Sequence, residues 1–589
     1  MSRAAAARVH ASRARQARRQ MENIDVARML DEIADLLEIQ GDNPFRIRAY
    51  RTAARTIETL PTPAATLVDE GRLDELPGIG SDLAGKIATI LQTGTLPLLQ
   101  ELTSKTPESV VQMLRIPGLG PKRTKQIYET LKVASLDALE KAARSGRLRD
   151  LPGIKQATER KILDGIASLR GQGGRWRLAD ADAYVQPLVS YLDACAAVRR
   201  IEVAGSYRRR KDTVGDVDIL TVSSKPRVVV TRFTEYPRVK QVQAEGATRS
   251  SVILDSGLQV DLRVVPAVSF GSALHYFTGS KSHNIAVRAL GLKRGLKINE
   301  YGVFRGPRRI CGRTEEEVFE AVGLPWIPPE LREARGEIEA ARGGRLPRLI
   351  ELSDIRGDLQ VHTDATDGAS DLAEMVRAAL ERGYEYIAIT DHTKAVRVAG
   401  GLTRAEFRRQ FRAIDRLQKQ IGGITILKGA EVDILDDGGL DLDDDTLAEL
   451  DVVVVAVHSK FNQSRSAMTK RIVRALRHPH VQILGHPTGR LIGKREPYQV
   501  DLDQVMKAAA DHGVALEINA QPERLDLDDV QARAVHEAGV RLVVSTDAHR
   551  VEDLNFMRYG VDQARRGWCE ARHVLNTLPL ARLRSTLRR

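Results

Sequence analysis

Cysteine is scarce in this chain: 589 residues hold three, Cys195, Cys311 and Cys569, scattered and odd in number. That excludes a disulfide framework and a cysteine-spaced metal knuckle, and a reducing, cytoplasmic setting is expected. Long apolar runs are absent too. None reaches the ~20 residues needed to span a bilayer, so no membrane partner is expected. Acidic residues are missing from the first twenty positions, which carry Arg3, Arg8, Arg13, Arg15, Arg18 and Arg19. Such a stretch suits a disordered arm on DNA, a helical targeting peptide, or a tail ahead of a start at Met21. We expect a basic tail over 1–20 without essential function, because the helical pattern of Asp25 to Leu37 begins just after Met21.

What is present is a soluble, multidomain content. Apolar residues make up 42 % and charged residues 29 %, in a chain long enough for several cores. The formal net charge of +12 favours a polyanionic partner, nucleic acid or an anionic surface.

The segment Gly205-Ser206-Tyr207-Arg208-Arg209-Arg210-Lys211-Asp212-Thr213-Val214-Gly215-Asp216-Val217-Asp218-Ile219-Leu220 sets a phosphate-binding turn ahead of two carboxylates. Asp216 and Asp218 lead into an apolar run, and at a period of two they share one face of a strand. Two carboxylates on one face are costly unless a cation lies between them, so divalent metal is expected. Gly205 lets backbone approach a ligand, Ser206 offers a hydroxyl and an amide, and Arg209 can fork onto phosphate oxygens. A solvated strand and turn is the bland alternative; phosphoryl or nucleotidyl transfer is the sharper one. A third carboxylate comes from the alternating stretch Leu258-Gln259-Val260-Asp261-Leu262-Arg263. Beside the first strand, Asp261 would complete a set for two ions, one serving a primer 3'-hydroxyl and one the triphosphate.

Gly-Ser, Gly-Asp-Val-Asp and Val-Asp-Leu-Arg resemble the palm of the family X DNA polymerases, the group that includes DNA polymerase beta. The resemblance continues through His275-Tyr276-Phe277-Thr278-Gly279-Ser280-Lys281-Ser282-His283-Asn284, Arg288, and Asn299-Glu300-Tyr301. It implies that Asp216, Asp218 and Asp261 hold Mg²⁺ or Mn²⁺, and that Gly205, Ser206, Arg209 and Gly215 meet the triphosphate. It also implies that Tyr276, Phe277 and Gly279 lie by the sugar, Asn284 by the incoming base and Arg288 by the template. Lys281 departs from the acidic residue of the vertebrate enzyme.

Three similar segments recur in the amino-terminal third: Leu76-Pro77-Gly78-Ile79-Gly80, Ile116-Pro117-Gly118-Leu119-Gly120 and Leu151-Pro152-Gly153-Ile154-Lys155. Helix-compatible stretches follow, Ser81 to Leu91 and Pro121 to Leu131. Glycines there permit tight hairpins and bring amides to a helix start, where phosphate binds. One such connection is usually a plain turn. Three in a basic chain resemble helix-hairpin-helix modules, which grip DNA backbone without reading sequence. Gly78, Gly80, Gly118, Gly120 and Tyr50 are the expected DNA contacts, and Lys155 breaks the third copy. The stretch from Gly41 to Arg51, with the helix after Gly80, resembles the small lyase domain of family X enzymes. By that resemblance Lys86 is the Schiff-base lysine, flanked by Arg46 and Tyr50. Asp82 stands where the animal enzyme has another lysine, and a phosphate contact by Lys86 is the alternative.

Beyond Ala341-Arg342-Gly343-Gly344-Arg345-Leu346-Pro347, which reads as a linker, short apolar strands alternate with amphipathic helices, as in a parallel α/β barrel. His362 with Asp367, Asp391-His392, Glu431 with Asp433, His458, His486, and Asp547 with His549 cluster at the carboxyl ends of the strands, the active face of such barrels. A lone histidine there is usually packing. Five of the 13 after successive strands suit a cluster of ions. The layout resembles the polymerase and histidinol phosphatase (PHP) domain of bacterial family X enzymes. That implies a 3'-to-5' exonuclease, with abasic-site cleavage and 3'-phosphate removal as further activities, on two or three Mn²⁺ or Zn²⁺ ions. The family begins His-x-His, whereas this chain reads Gln360-Val361-His362; glutamine is the weaker ligand and favours harder ions. The acidic run Asp441 to Asp445 reads as a solvated loop.

The expected organisation is a basic tail (1–20), a helical lyase-like domain (21–100), a helix-hairpin-helix domain (101–172), an α+β nucleotidyltransferase palm (173–267), a nascent-base-pair subdomain (268–340), a linker (341–352) and a (β/α)7-like PHP barrel (353–589). The expected activity is gap filling on gapped or nicked DNA from deoxynucleoside triphosphates, by a monomer, with an attached nuclease. The alternatives are a 3'-end-processing nuclease with a weak or silent polymerase, a DNA-binding scaffold with both sites degenerate, and a nucleotidyltransferase acting on antibiotics or RNA. The last would not need three backbone hairpins.

Overall fold

The computed structural model describes residues 23–59, 64–93, 96–106, 119–133, 135–151 and 175–587, with isolated positions between them. The tail 1–20, Gly118, and Pro152, Gly153 and Lys155 of the third hairpin segment lie outside the described residues. By contacts, the described residues before 175 group with 281–298 and 305–308; the others form a second unit. Residues 281–298 therefore separate from the rest of the expected 268–340 subdomain.

In the first unit, α1 (Asn23–Gln40) buries Val26, Leu30, Ile33 and Leu37, a helical stripe that needs a partner face. It ends at Gly41, which holds φ at +78°. Asn43 accepts from the Phe45 amide and Pro44 opens α2 (Pro44–Thr59), the usual start signals. α3 (Ser81–Thr93) follows the first hairpin and buries Leu83, Ile87, Ile90 and Leu91 against the same core. α4 (Pro121–Leu131) follows the second, with Gly120 at its start and Pro121 in the first turn.

The second unit begins with a five-stranded sheet: β1 (Arg200–Val203), β2 (Val217–Val222), β3 (Val239–Glu245), β4 (Arg249–Leu254) and β5 (Gln259–Val265). Their order is β1-β2-β5-β4-β3, and only β2 and β5 run parallel. α5 (Phe270–Thr278) follows β5 in this unit, whereas α6 (Lys281–Lys293) belongs to the first. The expected linker is packed rather than free: its first residues finish the helix Glu337–Arg342, and Leu349 and Ile350 are buried.

Seven parallel strands then follow in chain order, β6 (Gly357–Val361), β7 (Tyr386–Ile389), β8 (Thr425–Asp433), β9 (Val452–Ala456), β10 (Ile483–Leu484), β11 (Ala515–Asn519) and β12 (Leu542–Ser545). A bridge between Val361 and Ala548 brings the last strand end back to the first, so the barrel is nearly closed. Every residue of these strands but two is buried, which is why they read as continuous apolar runs. α7 (Leu580–Leu587) sets Leu583 and Leu587 among Leu359, Tyr386, Leu427 and Val543, which line the barrel interior. The acidic run is not a plain loop: Asp443 caps the short helix Asp444–Leu447, accepting from the Thr446 amide.

Two candidate metal centres

In the sheet, Asp218 and Asp261 are direct Cα partners of the parallel β2–β5 pair. Asp216 lies one step before β2, and its charge acts on Asp218. Burial, then the Asp216 and Asp261 carboxylates, push Asp218 up to about 6. Ser251 on β4 donates its hydroxyl to Asp261. The turn Gly205–Arg208 folds over this edge. Gly205 holds φ at +68°, and a Cβ there would stand 3.3 Å from an Asp218 oxygen, so glycine is the residue that fits. Ser206 is in the same turn. Gly215 lies beside Arg175, which is tied to Thr213.

The three arginines of the turn go to three different partners. Arg208 forks onto Glu315, which also holds the fully buried Arg332. These cations keep Glu315 below its ordinary range although burial opposes them. Arg209 donates to Glu333 (2.9 Å) and to the Thr278 carbonyl (2.7 Å), so its guanidinium is occupied by protein rather than standing open to phosphate. Arg210 pairs with Asp562 at 2.6 Å. Sequence reasoning read only Arg209, and as a phosphate fork.

Tyr276 and Phe277 lie on α5 with their rings edge to face, and Arg263 of β5 stacks over Phe277 at 4.3 Å. Gly279 ends that helix. Asn284 and Arg288 lie one turn apart on α6, where the Arg288 side chain donates to the Asn284 carbonyl.

In the first unit Gly78 is held at φ +80°, and a Cβ would meet Thr52 at 2.4 Å. Gly80 and Gly120 have open space on that side. Lys86 stands over the Tyr50 ring and pairs with Asp82 at 2.6 Å; Arg46 turns instead to Asp42. Burial alone would lower the Lys86 ammonium, but Asp82 and Tyr50 raise it above its ordinary value. That is opposite to what a Schiff-base amine needs.

The barrel gathers the ten expected metal-type residues at the carboxyl ends of its strands. Glu431 is their hub. Its Oε2 lies 3.3 Å from both His362 and His392, and its Oε1 3.1 Å from His458 and 3.0 Å from His486. Asp547 stands 3.1 Å from His362, and Asp367 faces His392 and His549 at 3.6 and 3.4 Å. Three overlapping groups result, His362–Asp367–His392–His549, His392–Glu431–His458 and His362–Glu431–Asp547, each compact enough for an ion. Burial would raise Glu431, but the surrounding imidazoles hold it well below its ordinary value. Burial pushes His392 down to about 4, leaving a neutral imidazole suited to ligation. His486 and Asp547 have left-handed backbone, at φ +25° and +51°, a strain of about 1–3 kcal/mol each that side-chain spacing does not reveal.

Sequence reasoning placed Asp433 and Asp391 in this cluster without separating their roles, and it missed Asn519. Asp433 buttresses His458 at 3.1 Å. Asp391 accepts from Thr363, Thr366 and Gln410. Asn519 donates to both Glu517 and Asp547. Asn519 is a polar residue at the end of β11, and that is the signal that could have found it.

The described parts match known families. Residues 21–96 match a helix-hairpin-helix domain, 110–168 a SAM-like helix-hairpin-helix tandem, 273–333 the DNA polymerase beta thumb and 358–521 the PHP domain. Over 573 residues the chain is 39 % identical to the DNA polymerase/3'-5' exonuclease PolX of Bacillus subtilis (strain 168), covering 97 % of this chain and all of that one. The chain belongs to the PolX family. Its family X half is also 25 % identical over 344 residues to DNA polymerase lambda of Rattus norvegicus, across 53 % of this chain and 56 % of that one. Its PHP half is 32 % identical over 203 residues to a probable phosphatase of Thermoanaerobacter sp. (strain X514), across 33 % of this chain and 78 % of the relative. No described helix of this chain is long and apolar enough to cross a membrane.

Proposed function

We propose that the chain is a DNA-directed DNA polymerase that fills short gaps in base-excision or end repair, with a 3'-5' exonuclease in its barrel. The observation that carries the polymerase half is the pairing of Asp218 with Asp261 across β2 and β5 beneath the Gly205 turn. In this reading Asp216, Asp218 and Asp261 hold Mg²⁺ or Mn²⁺. Bound there, divalent ions supply positive charge to the primer hydroxyl and to the departing pyrophosphate. The Gly205–Ser206 turn and Gly215 present amides and a hydroxyl to the triphosphate. Arg209 reaches the phosphates only by leaving Glu333, or acts by holding the turn. Tyr276 and Phe277 form the floor under the sugar, with Gly279 beside it; Asn284 meets the base and Arg288 the template. Gly78, Gly80, Gly118, Gly120 and Tyr50 hold DNA backbone.

In the barrel, His362, Asp367, His392, Glu431, His458, His486, Asp547 and His549 hold two or three Mn²⁺ or Zn²⁺ ions. These imidazoles and carboxylates converge in three overlapping groups, each compact enough for an ion, which supports this assignment. Around such ions they would orient a terminal phosphodiester and exclude bulk water. Lys86, held as an ammonium, serves as a phosphate contact rather than a lyase amine. The protein works as a cytoplasmic monomer.

A gapped duplex with a 5'-labelled primer tests this directly. Lengthening with nucleotides and Mg²⁺, and shortening with Mn²⁺ alone, are expected; a primer unchanged in both contradicts the proposal.

A further inference from the structure

Glu517 sits on β11 on the face that Ala515 gives to the barrel interior, directly below the metal-type cluster. It is fully buried. One carboxylate oxygen, Oε2, is satisfied by the His486 amide at 2.7 Å and by Asn519 Nδ2 at 3.2 Å. The other, Oε1, has no hydrogen-bond partner among the described residues. Asn519 ties the group to the cluster, because the same Nδ2 also donates to Asp547 Oδ2 at 3.0 Å. On β6, with only β12 between it and β11 in the nearly closed barrel, Gln360 is equally buried, and neither atom of its amide has a partner among the described residues. Its Oε1 is turned towards Gly485, which precedes the His486 whose amide binds Glu517. Two buried polar groups with unmet atoms thus face the floor of one site.

A cation would meet the free carboxylate oxygen, and glutamine stands here at the first position of the His-x-His pattern. We propose that Glu517 is a metal ligand of the barrel site, contributing from β11 a donor where β6 carries Gln360 in place of the first histidine of the His-x-His pattern. The inference rests on the reading of the barrel as metal-dependent. The compact group His362–Glu431–Asp547 would gain in Glu517, tied to Asp547 through Asn519, a third carboxylate. A donor set so rich in carboxylate oxygen suits Mn²⁺ over Zn²⁺, which prefers imidazole and thiolate. A neutral acid with a purely packing role is the competing account. Glutamine at this position would preserve that role, because it keeps the shape and the capacity to accept from His486 and Asn519.

The test uses the full chain carrying Asp218→Ala, so that palm ions do not contribute, stripped with chelator and titrated with Mn²⁺ by calorimetry alongside metal content by mass spectrometry. Glu517→Gln is expected to lose one equivalent of Mn²⁺ or to weaken its site at least tenfold, while melting cooperatively in chelator. Adding Gln360→His to Glu517→Gln is expected to restore the equivalent. Unchanged Mn²⁺ binding by Glu517→Gln overturns the role of Glu517 alone, and no Mn²⁺ binding by the Glu517-containing protein overturns the barrel reading with it. Anomalous scattering from Mn²⁺-soaked crystals of the unsubstituted protein decides independently of how the variants fold. A manganese peak about 2.2 Å from Glu517 Oε1 supports the proposal, and peaks confined to the other ligands overturn it.

Discussion

Asp218 concentrates the polymerase account at the level of one side chain. Its carboxyl is raised to about 6 by burial and by Asp216 and Asp261. A group raised above its unfolded value stabilises the fold fully only below that unfolded value, near 3.8, and loses the contribution as pH climbs through about 6. In chelator the charged cluster therefore costs stability above pH 6, and a divalent ion binds the charged form. The Mn²⁺-induced rise in melting temperature is expected to grow between pH 5 and 7.5, and Asp218→Asn should remove part of that growth. A pH-independent difference between the two proteins would count against the site. Asp218→Ala should abolish nucleotide addition and leave DNA binding intact, measured by extension and by gel shift. At Lys86, pairing with Asp82 favours the ammonium, so borohydride trapping on incised abasic DNA should be weak, stronger in Asp82→Asn and absent in Lys86→Ala. Equal trapping by all three would place the amine elsewhere. The carboxylates were legible because Asp-x-Asp before an apolar run has few bland uses. The partners of Arg208, Arg209 and Arg210 were not, because they lie 107, 124 and 352 residues away.

The turns and strands carry these side chains, and their constraints are separately testable. Gly205→Ala places a Cβ against Asp218 and forces φ +68° on an L-residue, at about 1–2 kcal/mol. Extension should fall well before global stability does, as seen by comparing rate with melting temperature. Among the barrel strands, His392→Ala and His549→Ala should suppress Mn²⁺-dependent shortening and spare extension, while Gln360→His should tighten Mn²⁺ and admit Zn²⁺. The barrel was readable from short apolar runs alternating with amphipathic helices, whereas the capping boxes Asp371–Glu374 and Asp528–Gln531 that start two of those helices were not read. Its interior was less so. Glu517 sits in the middle of an apolar strand, Ala-Leu-Glu-Ile, where alternation says which side it faces and nothing says what meets it there. The left-handed backbone at His486 and Asp547 likewise leaves no mark in composition.

Palm and barrel are one packed body within the second unit. Leu525 and Tyr559 of the barrel enter the palm core, and Asp182 accepts from Tyr207 of the palm turn and from Arg558 and Tyr559. Arg566 pairs with Glu333 and Asp529 and donates to the Arg209 carbonyl at 2.7 Å. The nucleotide-side turn is thereby held by the nuclease domain, an arrangement that no local motif announces. Removing one member of a buried network leaves its partners unpaired, so Arg566→Ala should cost about 3–5 kcal/mol in denaturant unfolding. Extension should slow as the turn loosens; an unchanged midpoint would show the network to be ornamental. The central claim is that one chain lengthens and shortens the same DNA 3' end from two separate metal centres. Its most direct measurement follows a 5'-labelled primer on gapped DNA in Mn²⁺, comparing Asp218→Ala with His392→Ala. The account predicts shortening without extension in the first and extension without shortening in the second; loss of both activities in either variant would contradict it.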